Sequence, residues 1–96
     1  MTFEEHCKES IKLYKKPFEE VHLWLDEFAG SKEYGMRHRR KRHHEEGIKE
    51  AVNLFGEEAR EVARQHIISD LQQEGWKEAV DPFPQNEKKY IEIGLF

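Results

Sequence analysis

Histidine and acid side chains recur on the same helical stripes as the apolar residues of this chain, so a fold that buries those stripes must also bring the polar groups together. Projected at about 100° per residue, Ala59, Val62, Ala63, Ile67 and Leu71 form one helix face, with His66 and Asp70 near its middle and one turn apart. Ile48, Val52 and Phe55 form a second stripe that continues backward to His44 and Lys41, with Glu45 and His38 on its flanks and His43 pointing away. A third stripe, Phe18, Val21, Leu25 and Phe28, is joined by His22 and, one turn on, by Asp26. His6 falls on the exposed edge of its helix and reads as incidental. Three helices thus direct histidine and acid toward one interior.

Glycine and proline divide the chain into about four helices and a tail. Thr2 and Glu5 form a capping-box pattern opening a helix near 3–15, whose stripe is Phe3, Cys7, Ser10/Ile11 and Tyr14. Pro17 suits the first turn of a second helix that ends before Gly30. A third runs from about Tyr34 to Phe55, with Gly56 as its stop and Gly47 marking close approach of a neighbour. The fourth spans about 58–73 and ends at Gly75. Beyond Asp81-Pro82-Phe83-Pro84, the segment Tyr90-Ile91-Glu92-Ile93-Gly94-Leu95-Phe96 largely alternates polar and apolar residues, the pattern of an extended strand that needs a partner. The expectation is an all-α domain over 1–96, with core helices within about 2–75 and an extended tail at 81–96. A chain of 96 residues has too little core for a second domain.

Burying imidazoles and carboxylates without partners is costly, so these groups must bond to one another, to water or to an ion. A satisfied hydrogen-bond network is one outcome, and a catalytic site without metal is another. The third is a divalent transition-metal ion (zinc, iron, nickel or manganese) held by His22, His38, His44 and His66, with Asp26, Glu45 and Asp70 as ligands or as groups that orient them. The two Glu-x-x-His pairs of di-iron bundles are not matched, because that spacing occurs only at Glu19 and His22.

Five of the 16 basic residues, Arg37, Arg39, Arg40, Lys41 and Arg42, form one cluster in a chain with 20 acids and net charge −4. Such a run suggests phosphate contacts, and a nucleic-acid module using Arg39, Arg40, Arg42 and His43 is the alternative reading. The acidic remainder opposes it. On a helix the run circles the cylinder, with Arg39, Arg42 and His43 outward and Arg37 and Lys41 nearer the core. A single cysteine, Cys7, excludes an internal disulfide, and the start of the chain lacks the pattern of a secretory signal, which points to the cytoplasm. No apolar run is long enough to span a bilayer, and neither a phosphate-cradling glycine loop nor a Gly-x-Ser-x-Gly elbow is present.

Four ordered strings carry a resemblance: Val21-His22-Leu23-Trp24-Leu25-Asp26; Arg37-His38-Arg39 through Arg42-His43-His44-Glu45-Glu46-Gly47-Ile48; Phe55-Gly56; and Gln65-His66 through Asp70-Leu71. From about His6 to Leu71 the chain resembles an uncharacterised family of small bacterial proteins, a domain of unknown function. The resemblance implies that His22, Asp26, His38, His43, His44, His66 and Asp70 occupy family positions, and it implies no activity. The chain departs from the pattern in a shorter segment between Gly56 and Gln65 and in its tail after Leu71. The sequence therefore leads to a metal-binding helical protein, with a regulatory or interaction protein as a further alternative. That protein would be a homodimer joined through Ile91, Ile93, Leu95 and Phe96.

Overall fold

The computed structural model describes residues 1–29 and 38–93. Thr2 opens α1 (Phe3–Tyr14) with the full capping box, its hydroxyl accepting from the Glu5 N–H while the Glu5 side chain accepts from the Thr2 N–H. Lys15 ends the helix in the left-handed region. Phe18, also left-handed, precedes α2 (Glu19–Leu25). Pro17 therefore lies outside the helix it was expected to begin, and α2 is shorter than its apolar stripe. The expected stop at Gly30 and the expected start near Tyr34, together with Gly35, Arg37, Leu95 and Phe96, lie outside the described residues.

The expected long helix through Phe55 is broken. A single turn, α3 (Arg39–Arg42), is followed by His43 and His44 in non-helical conformations, and α4 then runs Glu45–Phe55. His44 is the N-cap of α4. Its Nδ1 accepts from the Gly47 N–H at 3.1 Å, and its Nε2 donates to the Lys41 carbonyl at 3.0 Å. Two further free N–H groups at this helix start, those of Glu45 and Glu46, donate to the carbonyls of Pro84 and Gln85, both at 3.0 Å. The break brings the end of α3 onto α4 at Gly47. A Cβ there would overlap the Arg42 carbonyl oxygen and lie 2.7 Å from its carbon. The close neighbour inferred from Gly47 is thus the preceding turn of the same chain.

Gly56, at φ 96°, closes α4, and α5 (Ala59–Gln73) follows. The core is formed by Val21, Leu25, Ile48, Ala51, Ala59, Val62, Ala63, Ile67 and Leu71, with Trp76 and Tyr90 added from beyond α5. Each buried Val, Leu or Ile contributes roughly 1.5–3 kcal/mol. The apolar stripes expected for the α2, α4 and α5 segments supply most of these residues. The tail is not extended, because residues 87–93 form α6 (Glu87–Ile93), which packs against α3 and buries Tyr90. Its backbone is satisfied within the helix, so the partner strand that an extended tail would need is unnecessary. Among the described residues there are six helices and no strand, and no helix is long and apolar enough to cross a membrane.

Gly47→Ala should destabilise the protein by about 1–3 kcal/mol, the usual range for overpacking, measured as a lower denaturant midpoint. An unchanged midpoint would show that α3 does not approach α4 this closely.

Candidate metal centre

Two carboxylates organise the interior. Asp70 lies one turn after His66 on α5, and Asp26 caps the end of α2 one turn after His22, so each carboxylate shares a helix face with a histidine. Around them converge the Nε2 atoms of four imidazoles. His6 Nε2 lies 3.1 Å from Asp70 Oδ1, and His43 Nε2 lies 3.0 Å from Asp70 Oδ2. His66 Nε2 sits between the two acids, 3.2 Å from Asp70 Oδ2 and 3.3 Å from Asp26 Oδ2. On its other side, Asp26 Oδ1 is approached by His38 Nε2 at 3.3 Å and His43 Nε2 at 3.4 Å. His66 Nε2 and Asp26 Oδ1 are buried, and despite these short separations neither has an aligned hydrogen bond.

Beneath this layer His66 Nδ1 meets His22 Nδ1 at 2.8 Å, and His22 Nε2 meets the Ser10 hydroxyl at 2.7 Å. The chain Ser10–His22–His66 fixes the His66 ring and leaves its Nε2 directed at the acids. His6 stacks on His66 with ring centres 3.6 Å apart and planes 15° apart. Arg39 closes one side, with its guanidinium 2.6 Å from Glu74 and 3.5 Å from Asp70 Oδ1.

Burial dominates the electrostatics and is opposed by close partners. It lowers His22 to about 3, assisted by repulsion from His66 and His6. His43 falls to about 4, the hydrogen bond to Asp70 offsetting only part of the cost of burial. His66 moves the other way: burial favours its neutral form, but Asp26 and Asp70 outweigh that and raise its pKa. Burial alone would raise both acids, yet the surrounding imidazoles hold Asp26 and Asp70 below the usual carboxylate range.

Of the residues expected from the sequence, His22, Asp26, His38, His66 and Asp70 meet at this centre, while His44 and Glu45 do not. His44 serves as a helix cap, its pKa lowered chiefly by burial, and Glu45 pairs with Arg64 at 2.9 Å. Two residues set aside in the sequence belong here. His43, expected to point outward, is fully buried because the helix breaks beside it and a continuous projection through the break fails. His6, expected at an exposed edge, is fully buried because α1 turns His6 and Ser10 inward toward Asp70 and His22, leaving Ile11 49% exposed. The one-turn spacing of His6 and Ser10 was the available signal.

Two of the described residues of the basic run are engaged within the fold. Arg39 is held by Asp70 and Glu74, and Arg42 is stacked on Trp24 and Phe28 while bonded to the Trp24 carbonyl and Glu27. The outward orientation expected of Arg39 and Arg42 is thereby corrected: aromatic and acidic partners on other segments draw both inward. Arg40 is half-buried. The tail residue Ile91 is 46% exposed, and Ile93 is half-buried.

These features define a small all-helical protein with a buried histidine–aspartate centre. The chain belongs to the family described as Domain of unknown function (DUF6915), whose model matches residues 1–80. No curated protein and no solved structure matches the chain. Every residue of the centre lies within the matched region, whereas α6 and the carbonyls that cap α4 lie beyond it.

In chelator-treated protein, stability should fall as pH drops from about 6.5 toward 4. His22 and His43 stay neutral in the folded state over that window, while the unfolded chain takes up protons. Asp26 and Asp70, with lowered pKa values, extend the loss below pH 3.8. The stability contributed by His66, whose pKa is raised, is fully present below 6.5 and is lost as pH rises through its folded pKa. Urea midpoints between pH 4 and 9 test this, and a flat profile from 6.5 to 4 would contradict the neutral assignment of His22 and His43. His44→Ala should cost about 1 kcal/mol, as loss of an N-cap does, without altering the centre. Urea denaturation measures the first effect, and the chemical shifts of the His66 ring check the second.

Proposed function

We propose that the centre binds a divalent transition-metal ion, with zinc, iron, nickel and manganese as the candidates its nitrogen and oxygen donors suit. The observation that carries this reading is the pair of buried donors, His66 Nε2 and Asp26 Oδ1. Both lie 3.2–3.4 Å from other donors and neither is hydrogen-bonded. Ligands around one ion have this spacing: bonds of about 2.0–2.1 Å place tetrahedral neighbours roughly 3.3–3.4 Å apart. One donor atom each from His6, Asp26, His66 and Asp70 lie within 4.8 Å of one another. In a purely structural network these two atoms would also be aligned with partners, as His6 Nε2 and His43 Nε2 are with Asp70.

In this reading His66 ligates through Nε2 and keeps its Nδ1 proton, donated to His22, which in turn donates to Ser10. His22 then orients a ligand instead of serving as one. Binding displaces the His66 Nε2 proton, so affinity rises with pH. An ion with an open position lowers the pKa of bound water, which makes metal-assisted hydrolysis the reaction class this reading leads to.

Protein purified without a nickel column should carry at least one transition-metal ion per chain by elemental analysis, and His66→Ala should lose it. Free metal at 1,000 times Kd should stabilise the wild type by about 4 kcal/mol. If chelated protein takes up no metal and is no less stable than before treatment, the reading fails.

A further inference from the structure

The groups of the centre differ in exposure and in how firmly they are held. His6, His43, His66 and Asp70 are at most 1% exposed, so none of them directly meets an ion arriving from solvent. Among the described residues, two sides of the centre reach the surface. On one, the side chains of Asp26 and His38 are 27% and 17% exposed. On the other, Met1 and Arg39 approach Asp70 Oδ1. The Arg39 guanidinium, 14% exposed and bonded to Glu74, fills that side with a cation that opposes the passage of a second one. His38 is also the least restrained imidazole of the centre. His6 and His43 are hydrogen-bonded to Asp70, and His22 to Ser10 and His66. The Nδ1 of His38 is buried without a partner, and its single close polar contact among the described residues is Nε2 to Asp26 Oδ1 at 3.3 Å.

We infer that Asp26 and His38 form the port through which a divalent ion enters and leaves the centre, a deepening that rests on the metal-binding reading above. Asp26 reaches from the mouth to the interior, because its Oδ1 faces His38 and its Oδ2 faces His66, each at 3.3 Å. The ion is first captured between His38 Nε2 and Asp26 Oδ1, which have the separation of roughly 3.3–3.4 Å expected of neighbouring ligands on one ion. Water fills its remaining positions, so this capture is weak. The ion then passes along the same carboxylate to Oδ2, exchanging His38 and water for His66, His6 and Asp70. His38 lies outside the set of four residues, His6, Asp26, His66 and Asp70, whose donor atoms are within 4.8 Å of one another, so it hands the ion on without keeping it. A group that touches the ion only in transit lowers the barrier equally in both directions. His38 therefore sets the rates of capture and release and leaves the affinity unchanged.

The test is to mix the full metal-free chain with Co²⁺ in a stopped-flow absorbance instrument, to follow loss of bound Co²⁺ to excess chelator, and to measure Kd by titration. His38→Ala and His38→Gln should slow both capture and release by about tenfold, the low end of what loss of a group beside a metal site costs, with Kd and stoichiometry unchanged. Wild-type rates in both variants would overturn the port. Faster release with a weakened Kd would overturn it as well, by showing that His38 is a lasting ligand. The wild type gives a second reading that needs no variant. Capture past the exposed Asp26 carboxylate slows as salt screens the attraction, whereas a rate that holds or rises with salt would place entry on the Arg39 side and overturn the port. A wild-type chain that binds no Co²⁺, Zn²⁺, Mn²⁺, Fe²⁺ or Ni²⁺ would overturn the metal-binding reading itself, whereas a chain that binds the ion with rates indifferent to His38 overturns the port alone.

Discussion

The Asp70 carboxylate is the point on which the rest of the structure depends. It is 1% exposed, and the groups that satisfy it come from α1, from α3 and from the turn that follows α3, as well as from its own helix. A buried carboxylate is tolerated only when its charge is compensated. That requirement places His6, His43, His66 and Arg39 and so fixes how three separate segments pack. Loss of one partner would leave the interior charge less fully compensated, a cost beyond that of removing an equal amount of apolar surface.

The same carboxylates set the chemistry. His22, buried and crowded by other imidazoles, is kept neutral, while His66, although buried, is pulled toward its cation by Asp26 and Asp70. Two histidines in direct contact are thus driven in opposite directions by their surroundings. A divalent ion would replace the proton that His66 holds. In the proposed metal-binding reading, that exchange of protons for metal would turn the polar cost of the centre to folding into a source of binding energy.

Around this centre, stability comes from ordinary devices concentrated where the chain bends. The His43–His44 break needs Gly47, the His44 cap and two carbonyls from residues 84 and 85. Those carbonyls and α6 lie beyond the residues that the family model matches, so the histidine-bearing turn is secured in part from outside the matched region. Arg42 serves the same turn from the other side by stacking on Trp24 and Phe28.

Local periodicity and caps made much of this legible in the sequence. The Thr2/Glu5 capping box, the stop at Gly56 and the apolar face of α5 with His66 and Asp70 on it all depend on residues within a turn or two of one another. His43, His6 and the tail were misplaced because their positions are set by distant partners. His43 turns inward where tail carbonyls cap a new helix start, and His6 turns inward because Asp70, 64 residues away, accepts from it. Residues 87–93 form a helix against α3 although the alternation read from Tyr90 to Phe96 suits a strand. The sequence by itself determined that the α2 and α5 segments carry histidine and aspartate into the interior. Only the tertiary structure decided which of those groups meet, because a buried charge is satisfied by whichever partner the packing brings within reach.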